Sequence, residues 1–270
     1  MNTRRSISLL CCLAFVGLFW SCEQSDPPVK EWTLVWADEF TGNELDDEKW
    51  EIQTGDGSQY GLWRWGNNEE QWYLGDNASV SNGSLKIKAQ AETVGDYEYT
   101  SARIRSLNKG DFKYGRVEAA IRMANTPGLW HAFWMLPSEP PVSWPASGEI
   151  DVMEYVGNQP DEIFTTMHFA DQWGNHNQLG MLHPHIQDNQ YHQYAVEWDE
   201  NQVVWFTDSV EVFKVLRSND AINATWPFDA EFHLLINTAV GGNLGGTVDA
   251  QALQLPRFME VDYVRVYQNQ

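Results

Sequence analysis

The sequence predicts an all-β fold, an antiparallel β-sandwich, and three observations predict it. Strand-like segments, in which apolar and polar residues alternate, recur from residue 31 to residue 270. Turns rich in Gly, Asn and Asp separate these segments, and the periodicity typical of helices is weak everywhere. Residues 31–270 contain no repeat, no Ser/Pro-rich linker and no shift in composition, so we expect them to form one domain.

Five segments carry the strongest strand pattern, and in chain order they are residues 84–90, 116–123, 202–216, 232–240 and 260–267. In the first of these, Leu85, Ile87 and Ala89 would share one face, because alternate side chains of a strand point the same way. The third segment holds two apolar runs on either side of Asp208, which is the pattern of a β-hairpin. Short strands joined by tight turns favour an antiparallel sandwich.

Composition and charge exclude several classes of protein. The 270 residues are 43% hydrophobic and 20% charged, which is typical of globular domains and not of disordered chains. The net charge of −21 would repel the phosphates of nucleic acids and anionic lipid surfaces, so neither is expected as a partner. Strongly anionic polymers are poor candidate substrates for the same reason.

The 14 tryptophans are the unusual part of the composition. Core packing explains most of them, and Trp198 and Trp205 lie in strand-like segments where burial is expected. Others could form a surface on which sugar rings stack, because an indole has an apolar face and one polar N–H group. Composition alone does not choose between these two interpretations.

The start of the chain has the pattern of an export signal, with a basic beginning and an apolar stretch at residues 7–20. That stretch is too short for a transmembrane helix. Cys22 and the acidic residues behind it resemble the signal of Bacteroidetes-type surface lipoproteins, in which this cysteine is lipidated. We therefore expect a signal peptide at 1–21, a tether at 22–30 and a lipid-anchored protein on the surface of a Gram-negative cell, with ordinary secretion as the alternative.

The cysteines and the clustered histidines do not predict a metal centre. All three cysteines lie in the first 22 residues, so the rest of the chain has no disulfide framework and no cysteine-based metal site. His176, His183 and His185 lack an acidic partner at a convincing spacing. They are interpreted as loop residues and not as a zinc site.

One short segment carries the candidate chemistry, the Gly-Glu-Ile-Asp-Val-Met-Glu run at residues 148–154. In a regular strand Glu149 and Asp151 share one face, while Glu154 points to the other face. One extra residue accommodated as a β-bulge would return Glu154 to the face of the other two acids. We expect such a bulge, because bulges re-aim side chains at active sites.

Three carboxylates held close together cannot all ionise freely, because each negative charge raises the pKa of its neighbours. Glycoside hydrolysis needs this difference, since one carboxylate attacks the anomeric carbon while a protonated carboxyl donates to the leaving oxygen. The competing interpretation is a strand with a solvated acidic face, which is the usual outcome for an isolated pattern of this kind. The aromatic residues at 128–137 and 142–151 argue against it, because solvated acidic faces rarely lie among so many indoles.

Several segments resemble glycoside hydrolase family 16, most of all its bacterial laminarinases, which are endo-β-1,3-glucanases. GEIDVMEYVG at residues 148–157 resembles the active-site signature of that family in its bulged form. Further matching segments are WADEF (36–40), WGNNEEQWY (65–73), YTSARIRS (99–106), YGRVEAAIRM (114–123), AVGGN (239–243) and MEVDYVRVYQ (259–268). The resemblance covers essentially all of residues 31–270. It implies a β-jelly-roll sandwich of two antiparallel sheets with a concave substrate cleft, and a retaining double displacement.

The resemblance also implies roles for individual residues. Glu149 matches the nucleophile, Glu154 the acid/base and Asp151 an acid that assists them. Six residues match positions that contact substrate, and these are Asn68, Arg103, Trp130, Trp134, Trp144 and His168. The tryptophans would stack on sugar rings, and Asn68 and Arg103 would hydrogen-bond to hydroxyls. Glu69 and Glu70 are weaker candidates for the same cleft.

No cofactor is expected for catalysis, but many family members carry one structural calcium ion. Its oxygen ligands match Glu39, the backbone carbonyl of Gly83 and Asp262 in this sequence. The alternative is that no ion binds and that Asp262 is an ordinary acid at the end of a strand.

The expected function is that of a monomeric endo-β-1,3-glucanase acting on laminarin-like or mixed-linkage β-glucan. Other activities of the same fold are open alternatives, namely cleavage of agarose, porphyran or κ-carrageenan, or transglycosylation. A non-catalytic glucan-binding protein is a further alternative, but it would not need the three acids. Leu244 stands after AVGGN where laminarinases often carry Trp, which leaves fine specificity open.

Overall fold

Two β-sheets form the protein and enclose its core between them. The structure is a computed structural model, and it describes residues 31–185 and 189–269. The signal peptide expected at 1–21, the lipidation site at Cys22 and the tether at 22–30 lie outside the described residues. In the part that is described, no helix is long and apolar enough to cross a membrane.

The described part of the chain is built from eighteen strands, with helical segments of three or four residues between some of them. In chain order the strands are β1 (Trp32–Asp38), β2 (Glu51–Gln53), β3 (Gln71–Tyr73), β4 (Ala78–Ser81), β5 (Ser84–Val94), β6 (Tyr97–Ser101), β7 (Arg103–Arg105), β8 (Asp111–Phe112), β9 (Gly115–Met123), β10 (Leu129–Pro137), β11 (Glu149–Val156), β12 (Glu162–Ala170), β13 (His176–Pro184), β14 (His192–Trp198), β15 (Gln202–Thr207), β16 (Val210–Leu216), β17 (Phe232–Val240) and β18 (Arg257–Asn269). All five segments with the strongest strand pattern therefore form strands.

The strands pair into one sheet of ten and one sheet of eight. The first sheet has the order β16-β15-β14-β9-β18-β5-β6-β3, with β1 beside β18 and β4 beside β5. The second sheet has the order β13-β12-β11-β10-β17-β7-β2, with β8 beside β17. The predicted antiparallel sandwich is confirmed with one exception, because the three-residue edge strand β3 pairs with β6 in parallel.

The core fills the space between the two sheets, as the alternating pattern requires. Leu85, Ile87 and Ala89 have no exposed surface, and the opposite sheet contributes Phe133 and Met153, which are equally buried. Trp198 and Trp205 are buried too, so core packing is the correct interpretation of their position.

The predicted hairpin around Asp208 joins β15 to β16. Asp208 and Ser209 have φ angles of 48° and 67°, in the left-handed region. Two successive residues in that region make the tight turn whose twist matches the twist of the strands on either side.

Strand β11 contains the β-bulge that the sequence predicts. Against β10, Asp151 pairs with Trp134 and Met153 pairs with Phe133, so Val152 has no partner of its own. Against β12, Asp151 pairs with Thr166 and Glu154 pairs with Phe164, which again leaves one extra residue in β11. The bulge therefore turns Glu154 to the same face of the sheet as Glu149 and Asp151.

The first sheet supports this bulge through one hydrogen bond. The indole N–H of Trp205 on β15 donates to the backbone carbonyl of Asp151 at 2.8 Å. Because Trp205 is fully buried, this bond is shielded from water and holds the bulged strand from behind.

Deleting Val152 should leave β11 paired correctly on both sides. The registers before and after the bulge are already fixed, so a chain without the extra residue would run as a regular strand with three acids on one face. We expect the variant to unfold cooperatively at a reduced melting temperature, as measured by calorimetry. Deletion of Ile150, which lies between Glu149 and Asp151, is the matched control and should abolish folding or activity. Equal damage from both deletions would contradict this account.

Candidate active site

Three acidic side chains of β11 lie on the face of the second sheet that points away from the first sheet. Ile150, Val152 and Met153 point the other way and belong to the core. Glu149 is half-buried, whereas Asp151 and Glu154 retain only 2% and 8% of their exposed surface. The site is therefore an acidic strip on an otherwise well-packed strand.

Each of the three carboxyl groups has one nitrogen partner from a neighbouring element. The indole N–H of Trp144 donates to Oε2 of Glu149 at 2.6 Å. The indole N–H of Trp130 donates to Oε1 of Glu154 at 2.9 Å. Nε2 of His168 lies 3.1 Å from Oδ2 of Asp151. Three of the predicted substrate-contacting residues therefore surround the three predicted catalytic acids.

Burial raises the pKa of every carboxyl group in this strip, and the charges of neighbouring acids raise the pKa values of Glu149 and Glu154 further. Burial raises the pKa of Glu149 to about 8, and the charge of Asp151 contributes in the same direction. Burial raises the pKa of Asp151 as well. The pKa of Glu154 lies well above its usual range, because burial and the charges of both neighbours act together. Glu154 can therefore retain a proton, and the site can hold one protonated and one ionised carboxyl group.

Arg103, on β7, lies between two indole rings. Its Cζ atom is 4.6 Å from the ring centroid of Trp65 and 4.7 Å from that of Trp134. Nε of Arg103 donates to Oε1 of Gln53 at 2.7 Å, and the residue is only 5% exposed. The predicted contact of Arg103 with hydroxyl groups stays a prediction. What the structure adds is a cation that fixes the plane of Trp134, which pairs with Asp151 across the strands.

A chain of hydrogen bonds holds the edge of the same Trp134 ring. The indole N–H of Trp134 donates to Asn237 at 2.8 Å, and Asn237 donates to the hydroxyl of Tyr73 at 3.2 Å. Tyr73 donates to Glu69 at 3.0 Å, and Gln71 donates to the same carboxylate at 2.6 Å. Burial raises the pKa of Glu69, and the nearby charge of Arg103 opposes that rise. Glu69 is therefore part of the support of the cleft and is not exposed in it.

Asn68 and Glu70 lie on the exposed side of the same segment. Asn68 has a φ angle of 57° and donates through Nδ2 to Oδ1 of Asn243 at 2.8 Å. The backbone N–H of Glu70 donates to the carbonyl of Val240 at 2.9 Å. These bonds bring the 65–73 and 239–243 segments together beside the second sheet.

Two of the three clustered histidines, His176 and His183, are not loop residues, and for these two the sequence interpretation is wrong. His176 and His183 lie in β13, and His185 follows one residue after it. Nε2 of His176 lies 2.8 Å from Nδ1 of His168. No local sequence pattern indicates this contact, because it depends on the pairing of β12 with β13, which places Ala170 opposite His176.

Several supporting residues were not singled out as site residues from the sequence. They are Trp65 and Gln53 around Arg103, Asn237 and Tyr73 behind Trp134, and Trp205 behind Asp151. Trp65 and Tyr73 lie in the 65–73 segment that resembles the family, and Trp65 has a φ angle of 53°, which is unusual for an aromatic residue. The others are separated widely in sequence from the residues that they hold, so no local pattern marks them.

The expected calcium ligands come together only in part. Pairing of β1 and β5 with β18 brings Glu39, Gly83 and Asp262 toward one region of β18. However, Arg265 binds both carboxylate oxygens of Glu39, at 2.7 and 2.8 Å. Glu39 therefore does not offer the free carboxylate that a calcium ligand needs, and the calcium site stays a prediction of the resemblance.

Comparison with known proteins agrees with this geometry. Residues 66–255 match the glycosyl hydrolases family 16. The chain is 38% identical to glucan endo-1,3-beta-glucosidase A1 of Niallia circulans, covering 91% of this chain but 39% of that enzyme. It is 37% identical to a beta-glucanase of Rhodothermus marinus, covering 98% of this chain and 94% of that protein.

A solved structure shows the same fold. The laminarinase catalytic domain of Thermotoga maritima superposes with a TM-score of 0.82 at 34% identity, covering 89% of this chain and all of that domain. The fold and the acidic strip define a polysaccharide-active β-sandwich hydrolase. The chain belongs to glycosyl hydrolase family 16, and its two sheets form the β-jelly-roll sandwich expected for that family.

Replacing Asp151 with Asn should shift the pH dependence of activity toward acid. The charge of Asp151 raises the pKa of Glu149, so its removal lowers that pKa and lets Glu149 ionise at lower pH. The acidic limb of kcat/KM should then move down by about one pH unit, alongside a fall in kcat. Asp220→Asn, at an exposed carboxyl in the turn after β16, should leave the limb in place. An acidic limb that stays fixed or rises in Asp151→Asn would contradict this coupling.

Proposed function

We propose that this protein is an endo-acting β-1,3-glucanase that works by retaining double displacement. One observation carries the proposal: three carboxyl groups share one sheet face, and each has its own indole or imidazole partner. An acidic face without catalytic use would be solvated and would not be surrounded by tryptophans. The catalytic roles of Glu149, Asp151 and Glu154 are part of this proposal.

In the first step, the ionised carboxylate of Glu149 attacks the anomeric carbon of the bound sugar. Glu154 gives its proton to the glycosidic oxygen, so the carbon–oxygen bond breaks and the leaving chain departs as an alcohol. The raised pKa of Glu154 favours this role, because the group keeps its proton until the leaving oxygen needs it. The product of the step is a glycosyl ester on Glu149.

In the second step, water replaces the leaving chain. Glu154, now ionised, takes a proton from the water, and the resulting hydroxide attacks the anomeric carbon and releases Glu149. Two inversions give net retention. Asp151 lies between the two glutamates and next to His168, where it can hold a proton while Glu149 is ionised.

The substrate assignment rests on the relatives. Two of the similar proteins described above are named for β-1,3-glucan or laminarin, and the third is named a β-glucanase. A neutral glucan also suits a protein with a net charge of −21 better than a sulfated galactan does. Mixed-linkage β-glucan is the nearest alternative substrate, and transglycosylation is the nearest alternative reaction.

The wild-type protein should release short oligosaccharides from laminarin, and Glu149→Gln should lose at least about 10³-fold in kcat because it cannot form the ester. Products are analysed by chromatography with laminarin, lichenan and agarose offered in parallel. Glu139→Gln, at an exposed acid in the loop before β11, is the matched control and should keep full activity.

Each outcome of that experiment has a distinct meaning. Cleavage of lichenan together with laminarin would extend the substrate to mixed-linkage glucan. Cleavage of agarose alone would contradict the substrate assignment and leave the mechanism standing. Binding of laminarin without cleavage of any polymer would contradict the enzymatic proposal in favour of a glucan-binding protein.

We also propose that the protein is anchored to the outside of the cell through a lipid on Cys22. The apolar stretch at residues 7–20, the position of Cys22 and the acidic residues after it support this location. An anchored glucanase would cut a polymer too large to import and release its products beside the cell.

Expression of the full chain in a Bacteroidetes host tests the anchor. The wild type should fractionate with membranes and be cleaved by protease added to intact cells, and mass spectrometry should find acyl chains on Cys22. Cys22→Ser should lose the acyl chains and leave the outer membrane fraction. Recovery of unlipidated wild type from the medium would contradict the anchor and favour secretion.

A further inference from the structure

His176 closes a ring of contacts around the proposed nucleophile. Glu149 accepts from the indole N–H of Trp144, whose ring centroid lies 4.6 Å from that of His176. His176 in turn lies 2.8 Å from His168, and His168 lies 3.1 Å from Asp151. We propose that His176 is a positioning residue that holds the Trp144 indole over Glu149 as a platform for a sugar ring. This inference rests on the proposed function of the site.

Trp144 needs such support because little else holds its ring. It belongs to the 138–148 loop between β10 and β11 and is 52% exposed. Besides the bond to Glu149, the described contacts of its ring are with His176 and, at 6.1 Å, with His168. An exposed side chain that is fixed in advance binds a ligand more tightly, because less rotamer freedom is lost on binding.

The backbone on both sides of the contact is fixed, so the side chain of His176 decides the outcome. The loop returns to β11 through Gly148, which has a φ angle of 85° and lies against Pro227, so that a Cβ atom there would lie 2.8 Å from the proline ring. On the other side, β13 pairs with β12 over nine residues. The two rings meet at a tilt of 34°, which is a packed contact between two aromatic systems.

The contact of His176 with His168 aims its ring. The distance of 2.8 Å between Nε2 of His176 and Nδ1 of His168 fits one shared proton. The two imidazoles also stack at a centroid distance of 5.1 Å. His176 therefore reaches Trp144 in a defined orientation, while His168 makes the contact with Asp151.

His176→Ala should raise KM by about 2- to 10-fold and leave kcat within about twofold, because an aromatic pair contributes an amount of binding free energy of that size. His176→Phe should restore most of the lost KM, since it replaces the ring without the hydrogen bond. His176→Gln should not restore KM, since it keeps a polar group without the ring. Met181→Ala, at an exposed residue of the same strand β13, is the control and should leave both constants unchanged.

The KM is measured on whichever glycan the wild type cleaves best, so a wrong substrate assignment changes the glycan and not the test. Loss in His176→Ala with rescue by Phe supports the proposal. An unchanged KM in His176→Ala, or rescue by Gln in place of Phe, overturns it. A wild type that cleaves nothing overturns the proposed function, and the affinity for laminari-oligosaccharides, measured by calorimetry in the same variants, then decides the role of His176.

Discussion

The site depends on electrostatic repulsion among three carboxyl groups that the fold holds close together on one strand. Burial raises the pKa of all three carboxyl groups on one face of β11, and the negative charge of Asp151 raises the pKa values of Glu149 and Glu154 further. One N–H donor or imidazole for each group moderates this repulsion without cancelling it. At least one of the three carboxyl groups is therefore protonated near neutral pH. A general acid and a nucleophile on the same strand require this, because the acid must be protonated while the nucleophile is ionised.

The bulge at Val152 makes this arrangement possible, and the core of the sandwich keeps it in place. If β11 kept Val152 but ran as a regular strand without the bulge, Glu154 would point into the space between the sheets, where an unpaired carboxylate is costly. The hydrogen bond from Trp205 satisfies the carbonyl of Asp151 at the point where the strand is distorted. A buried residue of one sheet thus sets the direction of side chains on the outer face of the other.

Local patterns in the sequence predict the strands, the hairpin at Asp208 and the bulge, because each of these follows from spacing along one strand. They do not predict contacts between residues far apart in the chain. The resemblance assigns Arg103 a contact with sugar hydroxyls, but only the fold shows that it lies between Trp65 and Trp134. His176 reads as a loop residue, because only the pairing of β12 with β13 brings it to His168. The ion pair of Glu39 with Arg265 likewise cannot be predicted from local sequence, because it depends on the pairing of β1 with β18.

The position of the exposed Trp144 indole couples the binding of a sugar ring to the removal of water from Glu149. One edge of this ring already donates to Glu149, so a sugar that covers the ring also displaces water from around that carboxylate. Removal of water lowers the local dielectric and strengthens every charge interaction among the acids. A short glycan that fails to reach Trp144 would leave Glu149 hydrated and less reactive. The reactivity of Glu149 would then depend on the length of the bound glycan through hydration alone, with no conformational change of the protein.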